Sequence, residues 1–202
     1  GVAMEKIKGV VEEIIFDNDE NGYKVCSVDT GESEAVVRGI MPFLNVGEYI
    51  IAEGTWETHS LYGLQFNVKS FDKQLPSEIS DIKAFLASGL IDGIGPGLAG
   101  SIVDKFGGDT FNVIMFQPEL LQTVRGITAK KVAKINDAFK KHKESSETVM
   151  FFARYGVGTS LALKVYRMYG ADAVSVVSDN PYILAENVSG ISFKTADRIA
   201  ME

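Results

Sequence analysis

The chain has 202 residues, with 27 acidic against 20 basic side chains, a net charge of -7, and 46% hydrophobic residues. That length suits one large domain or two smaller ones, and the composition is that of a folded globular protein. No apolar run reaches the roughly eighteen residues of a membrane span, the single cysteine (Cys26) excludes an intramolecular disulfide and a multi-cysteine zinc site, and His59 and His142 have no metal-binding spacing, so neither metal hydrolysis nor a membrane role is expected.

Gly1-Val2-Ala3 ahead of Met4 reads as a remnant of cloning, and residues 1–9 lack the apolar centre of a signal peptide. Strand signals then follow at short intervals. Ile7 to Phe16 is the first. Asn21-Gly22 supplies turn chemistry before Tyr23 to Val28, where Tyr23, Val25 and Ser27 alternate with Lys24, Cys26 and Val28. Ala35 to Ile40, Tyr49 to Trp56 and Leu64 to Phe71 complete five strands. Glu12 and Glu13 are expected to face solvent. Five short strands of this spacing predict a Greek-key barrel of the OB type over residues 1–76. Trp56, His59, Tyr62 and Phe66 could form a base-stacking platform on it. The competing expectation buries Trp56 and Phe66 and leaves His59 and Tyr62 as loop residues. Residues 1–76 hold 6 basic and 13 acidic side chains. That imbalance favours a protein partner, or packing against the rest of the chain, over DNA for the barrel.

Pro76-Ser77 marks the boundary, and residues 77–202 are built from a fourfold repeat. Four ten-residue segments align without gaps: Gly93-IGPGLAGS-Ile102, Gly126-ITAKKVAK-Ile135, Gly156-VGTSLALK-Val165 and Gly190-ISFKTADR-Ile199. Each has Gly, then Ile or Val, then Gly, Thr or Ser. Ala or Val stands six residues after the first Gly and Ile or Val nine after it. A longer period relates the first two segments to the last two, offset by 63 residues at Gly93 and Gly156. The pattern is a helix, a tight hairpin and a second helix. The hairpin amides and the second helix's N-terminus form a ready anion site, for which a DNA phosphate is the obvious ligand. Such contacts read backbone and not base sequence.

Between Arg125 and Arg167 ten basic residues face three acidic ones, so the positive charge gathers around the second and third hairpins. The candidate DNA-binding residues are Gly93, Gly95 and Gly97 of the first hairpin; Gly126, Thr128, Lys130, Lys131 and Lys134 of the second; Gly156, Gly158, Thr159, Ser160, Lys164 and Arg167 of the third; and Gly190 and Lys194 of the fourth. Lys105 is the one cation expected near the first hairpin, with Asp104 beside it, so that hairpin is expected to be largely structural. Thr128 and Ser192 replace the second Gly of the motif, which weakens their two repeats taken alone. No catalytic residue is expected. Lys194-Thr195 ends like a Walker A loop but lacks its Gly before Lys, and neither GxSxG nor HExxH occurs. The predicted architecture is thus multi-domain, β + α: an OB-type barrel, then an all-α array of four helix-hairpin-helix motifs in two pairs over 77–202. Because the fourth hairpin's second helix starts near Lys194 and the chain stops at Glu202, a piece cut from a longer protein is expected.

The chain resembles the N-terminal region of long-form RecD-like DNA helicases of superfamily 1, the exodeoxyribonuclease V alpha-chain homologues. The resemblance spans residues 4–202. It rests on Gly9-Val10-Val11, Asn21-Gly22-Tyr23, Gly54-Thr55-Trp56, Tyr62-Gly63-Leu64-Gln65-Phe66, Gly93-Ile94-Gly95-Pro96-Gly97 and Gly190-Ile191-Ser192-Phe193-Lys194-Thr195-Ala196-Asp197. It implies RecA-like ATPase domains that use ATP and Mg2+ for 5′-to-3′ unwinding, roles in DNA repair and recombination, and a bacterial cytoplasmic protein; no cofactor belongs to the residues present. Two other readings stay open: a Holliday-junction-binding protein of the RuvA type, and a protein-docking module whose hairpins only pack.

Overall fold

The computed structural model describes residues 3–202; Gly1 and Val2, part of the remnant named above, lie outside the described residues. Strands β1 (Glu5–Asn18), β2 (Tyr23–Asp29), β3 (Glu34–Ile40), β4 (Tyr49–His59) and β5 (Gly63–Gln74) close into a barrel in the order β1-β2-β3-β5-β4. The parallel pairing of β3 with β5, at Val37–Phe66 and Arg38–Asn67, completes the closure. Two register shifts in β1, between Val11 and Glu13 and between Ile14 and Phe16, let it bend around the barrel. The first leaves Glu12 and Glu13 both exposed, as expected; the second leaves Ile15 and Phe16 outside. Val11, Cys26, Val28, Val37, Ile50 and Phe66 fill the interior. Burial pushes the Cys26 thiol up to about 12. Lys24 joins Cys26 and Val28 on the buried side of β2, with Asp17 Oδ1 at 3.0 Å from its Nζ.

Among the described residues eight α-helices follow: α1 (Ile79–Ala87), α2 (Pro96–Phe106), α3 (Thr110–Phe116), α4 (Ala129–Ala153), α5 (Thr159–Tyr169), α6 (Ala173–Asp179), α7 (Tyr182–Asn187) and α8 (Phe193–Ala200). The 63-residue offset is structural. α2, a 3-10 turn at Gly107–Asp109 and α3 return at the same lengths as α5, a 3-10 turn at Gly170–Asp172 and α6. Small and branched side chains at the repeat positions close the crossings: Ala99, Ile102, Ile135, Ala162, Val165 and Ala196 are all fully buried.

The helices make two cores, one per hairpin pair, and α4 belongs to both. Its N-terminal half gives Val132, Ile135 and Phe139 to the first core, and its C-terminal half gives Val149 and Phe152 to the second. With no Gly or Pro between Ala129 and Ala153, nothing interrupts this 25-residue helix. At its middle α4 meets the barrel. Glu48, buried to 3% exposure, accepts from Asn45 N–H at 2.9 Å and faces Lys73 Nζ at 3.1 Å and His142 Nε2 at 3.5 Å. Burial alone pushes the Glu48 carboxyl up, but the hydrogen bond from His142 and the charges of Lys73 and His142 overcome it and hold the carboxyl below its ordinary range. Lys73 also donates to Phe43 O at 2.6 Å, and the Phe43 ring packs against the second helical core. Barrel and both hairpin pairs are therefore pinned through one buried ion cluster.

Candidate nucleic-acid interface

The four hairpins share one backbone. The leading glycines, Gly93, Gly126, Gly156 and Gly190, have φ of 97°, 92°, 75° and 98°. This left-handed region is open to Gly and strained for other residues. The next residue turns inward: Ile94, Ile127, Val157 and Ile191 are all buried. The third position is the N-cap of the second helix and is extended, with φ of -95° at Gly95, -86° at Thr128, -69° at Gly158 and -87° at Ser192. Glycine is not needed there. Thr128 and Ser192 are thus sound members of the motif, correcting the expectation that they weaken it.

The third residue decides how open each helix end is. Thr128 Oγ1 accepts from Lys131 N–H at 3.3 Å and Ser192 Oγ from Thr195 N–H at 3.3 Å, each satisfying one of the free amides of the first turn. Gly95 and Gly158 offer no side chain, so the first-turn amides of α5, and those of α2 after Pro96, which has none, are free for an outside acceptor. Each pair thus joins one open hairpin, the first or third, to one self-capped hairpin, the second or fourth.

A basic side chain of the self-capped member packs against the leading Gly of the open one. The Lys134 stem lies 3.8 Å from where a Cβ on Gly93 would stand, and Arg198 Nη1 lies 3.5 Å from the same point on Gly156. Lys134 and Arg198 both stand eight residues after their hairpin's leading Gly, so the contact repeats with the duplication. Arg198 is legible in the sequence as a cation of the fourth hairpin but not as a neighbour of the third; the alignment of its position with Lys134 is the signal that points to that contact. Lys105, expected beside the first hairpin, instead caps Thr123 O at 3.1 Å beyond the far end of α2. Lys134 supplies that hairpin's cation, in a partly screened pair with exposed Asp92 at 3.5 Å.

All sixteen candidate residues are exposed or half-buried. Lys130, Lys131, Lys164, Arg167 and Lys194 have no carboxylate partner within salt-bridge distance among the described residues, whereas Lys141 and Lys143 pair along α4 with Asp137 and Glu147. The first pair brings Gly93 and Lys134 together, with Lys130 and Lys131 in the first turn of α4. The second pair differs. A cavity of about 290 Å3 separates Thr159 and Ser160, at the start of α5, from Asp17 and Asp19 of the barrel. The third hairpin therefore faces carboxylates.

On the barrel, the expected four-residue platform does not exist as such. Phe66 is fully buried and Trp56 packs edge-on against it, 5.1 Å between centroids, because both face inward across the β4–β5 ladder. His59 and Tyr62 are left at the surface. Lys194-Thr195 lies in the first turn of α8, where Thr195 N–H is already bonded to Ser192, so these residues do not fit a nucleotide phosphate loop. Among the described residues no cluster of His, Cys, Asp and Glu could hold a metal, and no helix is long and apolar enough to cross a membrane.

Residues 4–76 match the family described as ATP-dependent DNA helicase YrrC, OB-fold domain, and residues 141–202 match the ATP-dependent RecD2 DNA helicase HHH domain. Residues 85–141 match the SAM-like helix-hairpin-helix tandem. The last two matches meet at residue 141, inside α4, where that helix passes from one core to the other. The chain is 29% identical, over 96% of its length, to the ATP-dependent RecD2 DNA helicase of Deinococcus radiodurans, and spans 28% of that protein. Two solved structures overlap in part: the S. pombe Stn1-Ten1 complex (17% identity, 41% of this chain and 65% of that chain, TM-score 0.31) and a full-length MCM homologue from Methanopyrus kandleri (16% identity, 56% of this chain and 24% of that chain, TM-score 0.29). With RecD-type helicase domains matched at both ends and one such helicase aligned across nearly all of it, the chain corresponds to the N-terminal OB and helix-hairpin-helix region of RecD-like DNA helicases.

Proposed function

We propose that this region is the non-catalytic DNA-holding part of an ATP-dependent RecD-like helicase of DNA repair and recombination. Its hairpins grip duplex backbone without reading sequence and present it to motor domains elsewhere in the parent protein, where ATP and Mg2+ would drive 5′-to-3′ unwinding in the bacterial cytoplasm. The observation that carries this reading is the repeated placement of a basic side chain, Lys134 or Arg198, against the leading Gly of a hairpin whose second helix starts on an uncapped Gly. Free amides and a flexible cation at one point suit a phosphate oxygen, which accepts from both. The first pair is the principal grip, because Lys130 and Lys131 add unpaired charge in the first turn of α4, whereas the third hairpin faces Asp17 and Asp19 across a cavity.

Fluorescence anisotropy with a labelled duplex tests this. The chain is expected to bind with an affinity that falls steeply as salt rises, since each neutralised phosphate releases counterions. Reversing Lys130, Lys131 and Lys134 to Glu should weaken binding about 100-fold or more at low salt. Unchanged affinity would remove the first pair from the interface. Strong preference for a four-way junction over duplex would instead favour the junction-binding reading.

A further inference from the structure

The barrel carries a surface whose chemistry differs from that of the hairpins. The outer face of β2 and β3 forms a groove of about 660 Å3, walled on one side by Ile15 and Phe16 and on the other by His59 and Tyr62. Beyond the second register shift of β1, Phe16 lies opposite Val25 and stands 52% exposed, edge-on to Tyr23. Across the groove, His59 Nδ1 accepts from Leu61 N–H at 3.1 Å and Tyr62 N–H at 3.3 Å, which folds the turn and leaves Tyr62 72% exposed over His59. Rings this exposed add little to the barrel's own core, so their area is free for a partner.

Barrels of this topology commonly take single-stranded nucleic acid on this face, through rings combined with a basic groove. Here the rings are present and the basic groove is not. Arg38, the one permanently charged residue among the described lining, is neutralised, because its Nη2 donates to Glu57 at 2.5 Å. Strand register brings further acid to the same face. Glu13 lies opposite Ser27, and Ser27 opposite Val36 of the lining. Cross-strand partners share a face, and so do residues two apart along a strand. Glu13 and Glu34 therefore stand at the Val36 end of the groove, where the Ser27 hydroxyl donates to Glu34. Both carboxylates are exposed, and the barrel's ion pairs among the described residues engage Glu53, Asp17, Glu57 and Glu48 instead. Residues 1–76 hold 13 acidic side chains against 6 basic ones. Such a rim repels a polyanion and attracts a cation. Arg38 Nε, a buried donor without a partner, adds a demand for one acceptor oxygen.

We propose that this groove docks a protein partner through an extended apolar segment flanked by lysine or arginine. Apolar side chains fill the trough between Phe16 and Tyr62, the flanking cation pairs with Glu13 and Glu34, and a backbone carbonyl, which an extended segment leaves free, accepts from Arg38 Nε. The barrel is then a recruiting arm for protein beside hairpins that hold DNA. The site is separate from the hairpins and does not rest on their duplex contact.

The test records backbone amide NMR spectra of the full 202-residue chain during three titrations. The probes are a short peptide of alternating leucine and threonine between terminal lysines, the same peptide with serine in place of leucine, and a short oligothymidylate. The leucine peptide is expected to shift Phe16, Tyr23, Arg38 and Tyr62, and the other two probes to leave them in place. Tyr62→Ala and Phe16→Ala should each weaken the peptide about tenfold, and thermal melts of both variants confirm that the barrel stays folded. Glu13→Gln and Glu34→Gln should each weaken it about two- to threefold, a difference that fades as salt rises. Equal affinity of the serine peptide would reduce the contact to charge alone and overturn the proposal. Unchanged affinity in both Ala variants, or no shift at the groove, would overturn it as well. So would an oligothymidylate that shifts the groove amides where the leucine peptide does not; the groove would then belong to nucleic acid. Failure of the hairpin reading would show separately, as duplex affinity indifferent to the lysine reversals.

Discussion

The two hairpin pairs have the same backbone and different neighbours. Both join an open, glycine-capped helix start to a self-capped one, and both lay a basic side chain against the leading Gly of the open member. In the first pair the open hairpin shares its surroundings with Lys134, and Lys130 and Lys131 stand unpaired at the start of α4. In the second, the open hairpin looks across a cavity at Asp17 and Asp19. The motif fixes the hairpin backbone but not the charge that it faces. That is set by charges the motif does not contain.

The largest expected effect breaks the cluster that holds both pairs to the barrel. Glu48→Gln leaves Lys73 charged and buried without its counterion, so a loss of about 3–5 kcal/mol is expected in chemical denaturation. Lys73→Met in the same chain should restore much of it. Hydrogen exchange should quicken more in α5 than in α2, because Phe43 ties the second core to this cluster. The wild-type contribution is acid-sensitive in a defined sense. With the Glu48 carboxyl held below its ordinary range in the fold, its stabilisation is complete above the unfolded carboxylate pKa and is lost as pH falls through the depressed folded value. Equal exchange in α5 and α2 would show that the pairs respond as one body.

A smaller effect separates the pairs at their leading glycines. Gly126→Ala meets nothing within 4 Å, so its cost is the left-handed backbone alone, about 1–2 kcal/mol. Gly190→Ala has the same backbone penalty and places its Cβ 3.0 Å from Leu161 Cδ2. Moving Leu161 off its rotamer should add about 1 kcal/mol. Equal losses for the two variants in thermal melts would mean that Leu161 yields freely and that the second core is the looser one.

The parts of this arrangement written in local chemistry could be read in advance, and the parts written in tertiary contacts could not. The leading Gly, the inward Ile or Val and the small residue at the crossing are demanded by a backbone that every repeat must adopt, so their spacing reveals the motif. The barrel follows from strand and turn residues for the same reason. The N-cap position misleads because Gly95 and Gly158 suggest a requirement for Gly, whereas the extended backbone also accepts Thr128 and Ser192, which cap better. Lys24 defies its strand because Asp17 waits beside it. The approach of His142 to Glu48 and of Asp19 to the third hairpin joins segments remote in sequence, and no local pattern encodes it.

The smallest effect addresses the point on which the pairs differ. Asp17 is committed to Lys24, so its removal would unsettle the barrel. Asp19 is exposed and has no cationic partner within salt-bridge distance among the described residues, which makes it the clean site. A carboxylate near a helix N-terminus contributes about 0.3–1 kcal/mol, and it repels an incoming phosphate on a similar scale. If DNA reaches the third hairpin, Asp19→Asn should raise duplex affinity about two- to fivefold at low salt, and the gain should fade as salt screens it. Glu32→Gln, in the exposed β2–β3 turn, removes the same charge from the barrel and serves as the control. A gain confined to Asp19→Asn would show that the third hairpin is a working but attenuated copy of the first. Equal gains from both substitutions would reduce the effect to net charge, and no gain from either would leave the grip to the first pair alone.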